Sequence, residues 1–528
     1  MYDVVIKGGT IVDGTRAAPR VADLCISDGK IAAVCDTADK PGRQVILAQG
    51  KIVSPGFIDI HSHSDICPLL PAPFKVQSKL YQGVTTEICG NCGISIVPNQ
   101  GPHQKENSTY FERILELKSE DFKHDMASVS DYAKRVKKQG CATNFGMLVG
   151  HSALRGCTIG FDDRDPTPDE MEQMKALLDS ELSQGAFGMS LGLIYPPSAF
   201  CKTEELVELA KVVKAHDGIL AVHIRNESAK VFESVDEMLN IAALSGVHLH
   251  ISHLKLMGKP QWGRAKELLD KIANARAQGV NVDCDQYPYH ASSTSLTAIV
   301  PNWAHDGGFE ALNKCLKEKS PRLLSDIAEM MAFRGGPACV LVSYTNGLAT
   351  EFDGKTVEEI SKILGVSPEE AVADVLIRSN GVVKAIYFSM SEQDVFTILN
   401  EMDISIGSDG YAFDYAMDGN PHPRSFGTFP RFLRINREQK LMPLEDAVYK
   451  MTGLPAKQLG LTDRGILKPG CVADITIFDE NKVKDTATFL RSVVKPEGIE
   501  HVLVAGVPVL LDGEQTEALP GTALLKAK

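Results

Sequence analysis

The 528-residue chain has no run approaching the roughly 18 consecutive apolar residues of a membrane span. Its opening, MYDVVIKGGTIVDG, lacks the basic start and long apolar core of a secretory signal, so a cytoplasmic location is expected. Positive charge is also short: 55 Lys and Arg face 68 Asp and Glu, a formal net charge of −13. That balance argues against the basic surface with which non-specific nucleic-acid binders displace counterions. The twelve cysteines follow no disulfide-framework spacing, and in so long a chain most are expected to be reduced and buried. Cys89 and Cys92 form a CxxC, open to a redox or zinc-finger reading, but no second pair follows to complete a structural zinc site. Low-complexity tracts and short repeats are absent as well. A soluble globular protein remains, long enough for two to four domains or one large barrel with appendages.

Both ends read as short strands with glycine turns: YDVVIKGGTIVDG, DLCISDGKIAAV and GKIVSPG near the start, GCVADITIFD and HVLVAGVPVLLDGE near the finish. One small β domain built from residues 1–56 and 463–528 is expected. Between them, apolar runs alternate with helical stretches such as TPDEMEQMKALLDSELSQ and KTEELVELAKVVKAH, the pattern of repeated βα units around a parallel sheet. Eight strand candidates follow in order: GFIDIHSH, GVTTEICGN, NFGMLVGH, GAFGMSLG, GILAVHIR, HLHISHLK, VNVDCDQYPY and ISIGSDG. Periodicity does not separate a (β/α)8 barrel from an open doubly wound sheet; the polar residues at the strand ends favour the barrel. More than 100 residues separate the last two candidates, too many for a simple connection. The reading is therefore an α/β chain with a TIM-type barrel at 57–290 and 346–462, and an inserted subdomain at 291–345 over the barrel mouth.

Histidines, a thiol and a carboxylate sit at the C-terminal tips of these apolar runs, where barrel enzymes assemble their sites. His61 and His63 are two apart on one strand and face the same side. Further tips offer Cys92, His223, His253 and Asp409. A lone strand-end histidine is commonly a hydrogen-bonded core residue. Six nitrogen, sulfur and oxygen donors converging on one mouth suit zinc better than magnesium or calcium, and two adjacent metal positions would use all six. His248 and His250 lie an odd number of residues before His253, so they point away and are expected to be structural. His151, in GHSALR, is expected to orient one of the donors.

With its HxH on the first strand, histidines on the fifth and sixth and aspartate on the eighth, the chain resembles the amidohydrolase superfamily. Many dinuclear members bridge their metals with a lysine or glutamate from strand four, where this chain has only GAFGMSLGLIYPP. GNCGIS resolves the departure, because the sequence resembles the N-acyl-D-amino-acid deacylases, or D-aminoacylases, in which the cysteine of that motif is a metal ligand. GHSALRG, SLGLIYPP, HIRNES, ISHLK, DQYPY and HPRSFGTFPR fit the same group. The resemblance covers essentially the whole chain. It implies a tightly held zinc on Cys92, His223 and His253, with His61, His63 and Asp409 around a second, weaker position.

The implied chemistry is hydrolysis of the amide of an N-acyl-D-amino acid, releasing a carboxylic acid and a D-amino acid. Zinc lowers the pKa of bound water to roughly 7 and polarises an amide carbonyl. Asp409 is the expected proton carrier. Arg424, in HPRSFG, is the leading candidate for the substrate's α-carboxylate, since guanidinium can bind it with two parallel hydrogen bonds. The family pattern adds Lys255, Tyr287 and Ser293 as substrate-binding residues. A cyclic amidohydrolase of the hydantoinase or dihydroorotase kind ordinarily needs the missing strand-four lysine, and a non-catalytic metal-binding barrel would have shed donors that this chain retains. Side chain, acyl group and oligomeric state stay open, and the preference for D over L rests on the resemblance.

Overall fold

A computed structural model describes residues 1–70, 77–114, 126–417 and 419–527. All eight runs read as strands contain strands. In chain order they are Phe57–Asp59, Val84–Cys89, the broken strand Asn144–Met147 and Val149–Gly150, Gly188–Gly192, Ile219–His223, His248–Ile251, Val282–Gln286 and Ile404–Ile406, numbered one to eight. Strands one, two and the first half of three form one parallel sheet; the second half of three through eight, taken in order, form another. The two sheets therefore share the 144–150 segment. Just past the tips of strands one and eight, a parallel bridge joins Ser62 to Gly410. Every residue of strands one, two, four and five is buried, as parallel strands covered on both faces require.

Helices form where the sequence supplies both cap and stripe. Thr167 accepts a hydrogen bond from the Glu170 N–H while the Glu170 carboxylate accepts one from the Thr167 N–H, and Pro168 fills the first turn, where an N–H is not needed. The resulting helix, Pro168–Ser183, lays Met174, Leu178 and Leu182 on the main apolar core. Thr203–Ala215 does the same with Leu206, Leu209, Ala210 and Val213.

The two ends of the chain meet in one nine-stranded sheet. From its C-terminal edge it runs Glu514–Gln515, Val507–Leu511, Ile499–Val504, Ile475–Phe478, Ile52–Pro55, Tyr2–Ile11, Arg20–Ser27 and Lys30–Cys35, with Gly42–Leu47 also on Tyr2–Ile11. Tyr2–Ile11 divides its length between two parallel partners, Gly42–Leu47 along residues 2–7 and Ile52–Val53 along residues 10–11, and its register slips between Ile6 and Gly9.

Between strands seven and eight the chain forms an insert, expected from sequence over 291–345. Its antiparallel sheet has the order Ser292–Ser295, Lys384–Tyr387, Val340–Tyr344, Lys355–Thr356. Lys384–Tyr387 pairs with strands on both sides, so the sheet cannot end before Tyr387. The insert has an apolar cluster of its own, from Leu296 to Tyr387, that includes Leu323, Ile327, Phe352 and Leu376. The sequence between 346 and 387 supplies helices Val357–Leu364 and Pro368–Arg378 to this unit, not to the parallel sheets.

Candidate metal centre

At the tips of the parallel strands, side chains from distant parts of the chain come together. Cys92 Sγ lies 3.3 Å from His61 Nε2 and 3.5 Å from His253 Nε2. The rings of His223 and His253 cross edge to face with centroids 4.5 Å apart. Asp409 Oδ1 is 3.0 Å from His63 Nε2 and 3.4 Å from His61 Nε2. His61, Cys92, His253 and Asp409 thus offer four donor atoms within 4.8 Å of one another, and His223, Glu227 and His253 form a second such group. Cys92, His253 and Asp409 all have left-handed backbone, with φ of 52°, 38° and 50°. Such strain in non-glycine residues tends to collect at functional sites. Gly93 shares that region at φ 75°, and a Cβ there would stand 2.6 Å from the Gly192 nitrogen, so the glycine after Cys92 lets strand four approach the thiol.

The electrostatics are those of a donor set. Burial opposes the Cys92 thiolate, yet His61 and His253 hold the thiol well below its ordinary pKa. Burial likewise opposes the Asp409 carboxylate, and Arg424 with His253 keeps it well below the carboxylate range. Burial lowers the His223 pKa, favouring the neutral imidazole that ligates metals, and neither of its ring nitrogens has a hydrogen-bond partner among the described residues. Burial and Lys255 work against protonation of His253, but Asp409, Glu227 and Cys92 outweigh them and push it up to about 9. Positive and negative groups alternate through a buried volume, a pattern typical of ligand-binding chemistry.

The expected substrate residues adjoin this group. Arg424 Nη1 sits 2.7 Å from Asp409 Oδ2, and its Nη2 donates to the Ser293 carbonyl at 2.9 Å. Lys255 donates to Glu227 at 2.5 Å and lies 2.7 Å from His253 Nδ1. The Tyr287 ring faces both cations, Arg424 at 5.2 Å and Lys255 at 5.7 Å, and its buried hydroxyl makes no hydrogen bond among the described residues. All four residues line a cavity of about 680 Å3 together with His63, Cys92, His223 and Asp409. Residues of helix Gln104–Ile114 and of the insert, among them Phe309 and Lys384, complete its wall.

His151 is elsewhere. Its nitrogens lie 2.8 Å from Ser198 Oγ and 2.8 Å from Glu205, which also pairs with Arg155, so it orients none of these donors. His248 and His250 turn to Asp283 and Asp285 on strand seven, at 2.6 and 2.8 Å. Two acidic residues escaped sequence reasoning. Glu227 bridges Lys255 and His253, and its signal was the four-residue spacing from His223 in HIRNE. Asp285 takes His61 Nδ1 at 3.1 Å and the His253 N–H at 2.9 Å. The alternation in VDCDQ puts Asp283 and Asp285 on one face, but their partners lie on other strands and leave no local trace.

Parallel strands ending in a cysteine, histidines and an aspartate around a cavity are suited to a metal-dependent hydrolase, and a family model described as "Amidohydrolase family" matches residues 44–510. The chain belongs to the amidohydrolase family, in its N-acyl-D-amino-acid deacylase group. It is 36% identical over 526 residues to N-acyl-D-aspartate deacylase of Alcaligenes xylosoxydans xylosoxydans, covering 99% of this chain and 95% of that one. D-aminoacylase from the same organism is 35% identical over 509 residues, 96% and 94% of the two chains. Among solved structures, N-acyl-D-glutamate deacylase of Bordetella bronchiseptica, complexed with zinc and a phosphonate mimic of the tetrahedral intermediate, superposes with a TM-score of 0.82 at 34% identity over 100% of both chains. No helix of the described residues is long and apolar enough to cross a membrane.

Proposed function

We propose that this chain hydrolyses the amide bond of N-acyl-D-amino acids with zinc, releasing a carboxylic acid and a D-amino acid. The observation that carries the reading is the Cys92 thiol seated between His61 and His253, at 3.3 and 3.5 Å, where a bridging carboxylate or lysine is absent from strand four. The donors fit the metal: His223 has both ring nitrogens buried with no hydrogen bond among the described residues, Glu227 stands 3.5 Å from its Nε2, the thiol is held toward thiolate, and sulfur with imidazole suits zinc. Cys92, His223 and His253 would hold the first ion, with His61, His63 and Asp409 around a weaker second position. Bound there, zinc supplies a Lewis acid that polarises the amide carbonyl and acidifies water.

The protein's own groups handle the proton and the substrate. Asp409 faces His63 through one oxygen and Arg424 through the other, and it lines the cavity. It accepts the proton of the attacking water and returns it to the departing amine. Arg424 and Lys255 flank Tyr287 and, with Ser293, receive the α-carboxylate; the unsatisfied Tyr287 hydroxyl gains a partner when that anion arrives.

The architecture supports the same reading. The shared 144–150 segment and the Ser62–Gly410 bridge fit closure of the eight strands into a (β/α)8 barrel. The slip between Ile6 and Gly9 fits folding of the terminal sheet onto itself as a sandwich. We assign 1–56 with 463–528 to that domain and 291 to about 387 to the insert.

Protein of measured zinc content, assayed on N-acetyl-D- and N-acetyl-L-amino acids and on cyclic imides, tests the proposal. Turnover of D-substrates in proportion to zinc is expected. Turnover confined to cyclic or L-substrates, or independent of zinc, overturns it.

A further inference from the structure

Beside the donors lies a second set of buried polar side chains. Lys79, from the short helix Gln77–Leu80, is fully buried. Its ammonium donates to Asp59 Oδ2 at 2.5 Å and to Ser408 Oγ at 2.6 Å, with Glu87 Oε2 at 3.6 Å. Glu87 in turn accepts from the hydroxyls of Ser62 and Ser64 at 2.7 and 2.6 Å, and Ser64 Oγ accepts the Ala412 N–H at 2.8 Å. Past the end of strand one, His61 and His63 face the cavity group while Ser62 and Ser64 face this network. A lysine and two carboxylates, all without solvent exposure, are costly to bury unless each is paired. Here the pairing converges on one turn.

That turn is Ser408–Gly410. Asp59 Oδ1 accepts the Ser408 N–H at 2.8 Å, and Ser408 Oγ accepts the Gly410 N–H at 3.0 Å. Between them Asp409 holds φ 50°, its own N–H on the His61 carbonyl at 2.8 Å. That conformation is uncommon for an L-residue, although aspartate tolerates it better than most, and here hydrogen bonds hold the backbone on both sides of it. We propose that Lys79 is a positioning residue: through Asp59 and Ser408 it fixes the backbone on both sides of Asp409, and so the direction in which the Asp409 carboxylate enters the cavity. The proposal rests on the reading of Asp409 as proton carrier.

The test uses full-length protein with measured zinc. Lys79→Met lowers kcat at least tenfold while KM and zinc content stay within twofold of wild type. The double variant Asp59→Asn with Lys79→Met, which removes both charges and keeps an acceptor at 59, recovers at least threefold of that loss. Should Lys79→Met fail to fold, Ser408→Ala deletes only the hydroxyl linking Lys79 to Gly410, and is expected to lower kcat threefold or more at an unchanged melting temperature. Folded variants with wild-type kcat overturn the proposal, as does a kcat that falls only in step with zinc content and melting temperature. If wild-type protein turns over no N-acyl-D-amino acid, the functional reading has failed, and the visible spectrum of cobalt-loaded protein decides instead. A spectrum altered by Ser408→Ala supports positioning of Asp409 beside the metal; an unaltered one overturns it.

Discussion

Asp409 and Arg424 share one ion pair, yet they should fail differently when changed. Asp409→Asn keeps the shape and an acceptor but removes the proposed base, so kcat should fall on the order of 10²–10⁴-fold with KM little changed, as steady-state kinetics on metal-loaded protein will show. Arg424→Ala should raise KM by roughly 10–100-fold, the scale of a lost charge-assisted hydrogen bond, while zinc content stays intact. Arg424→Lys should not rescue it, because an ammonium cannot form the planar fork. Loss of zinc in Arg424→Ala with unchanged KM contradicts the assignment. The candidate donors stand out in sequence because each follows an apolar run. Lys79 does not: it lies in a four-residue helix with no period of its own, and its partners are 20 and 329 residues away.

The helices around the parallel strands offer a pH test apart from the site. Glu181, on Pro168–Ser183, is buried and accepts the Val129 N–H at 2.7 Å, satisfying an open donor at the start of helix Val129–Gln139. Burial pushes its pKa up to about 7. The folded chain then binds this proton more tightly than the unfolded one, so the contribution is complete below the ordinary carboxylate range and is lost as pH rises through about 7. Glu181→Gln retains the acceptor and cannot ionise. It should melt with wild type near pH 4.5 and be more stable at pH 8, on the order of 2 kcal/mol; identical pH–melting curves would refute this. The parallel strands and long helices were legible in sequence because an apolar period is a local signal. The pairing inside the insert was not, since ACVLVSYTN and KAIYFSM look like strands anywhere, and only their mutual pairing reveals the sheet they build.

Removing a bound metal should be felt across the protein, because the candidate donors come from five strand ends between His61 and Asp409. Dialysis against a chelator should abolish turnover and lower the melting temperature by several degrees, since a ligand that binds only the folded state stabilises it. Zinc should restore both, and a melting temperature indifferent to chelation would separate the donors from the fold's stability. That the two ends make one sheet was visible in their shared texture of short strands and glycine turns. The order of its strands was not, because alternation fixes which face a residue takes but not its neighbour.

The sheet stitched from both ends sets a timetable for biosynthesis. Ile52–Pro55 leaves the ribosome more than 400 residues before Ile475–Phe478, the strand that lies beside it. Until then that edge of the nascent chain waits uncovered, so a message cut short before that strand yields a product with an unpaired flank open to pairing with other chains.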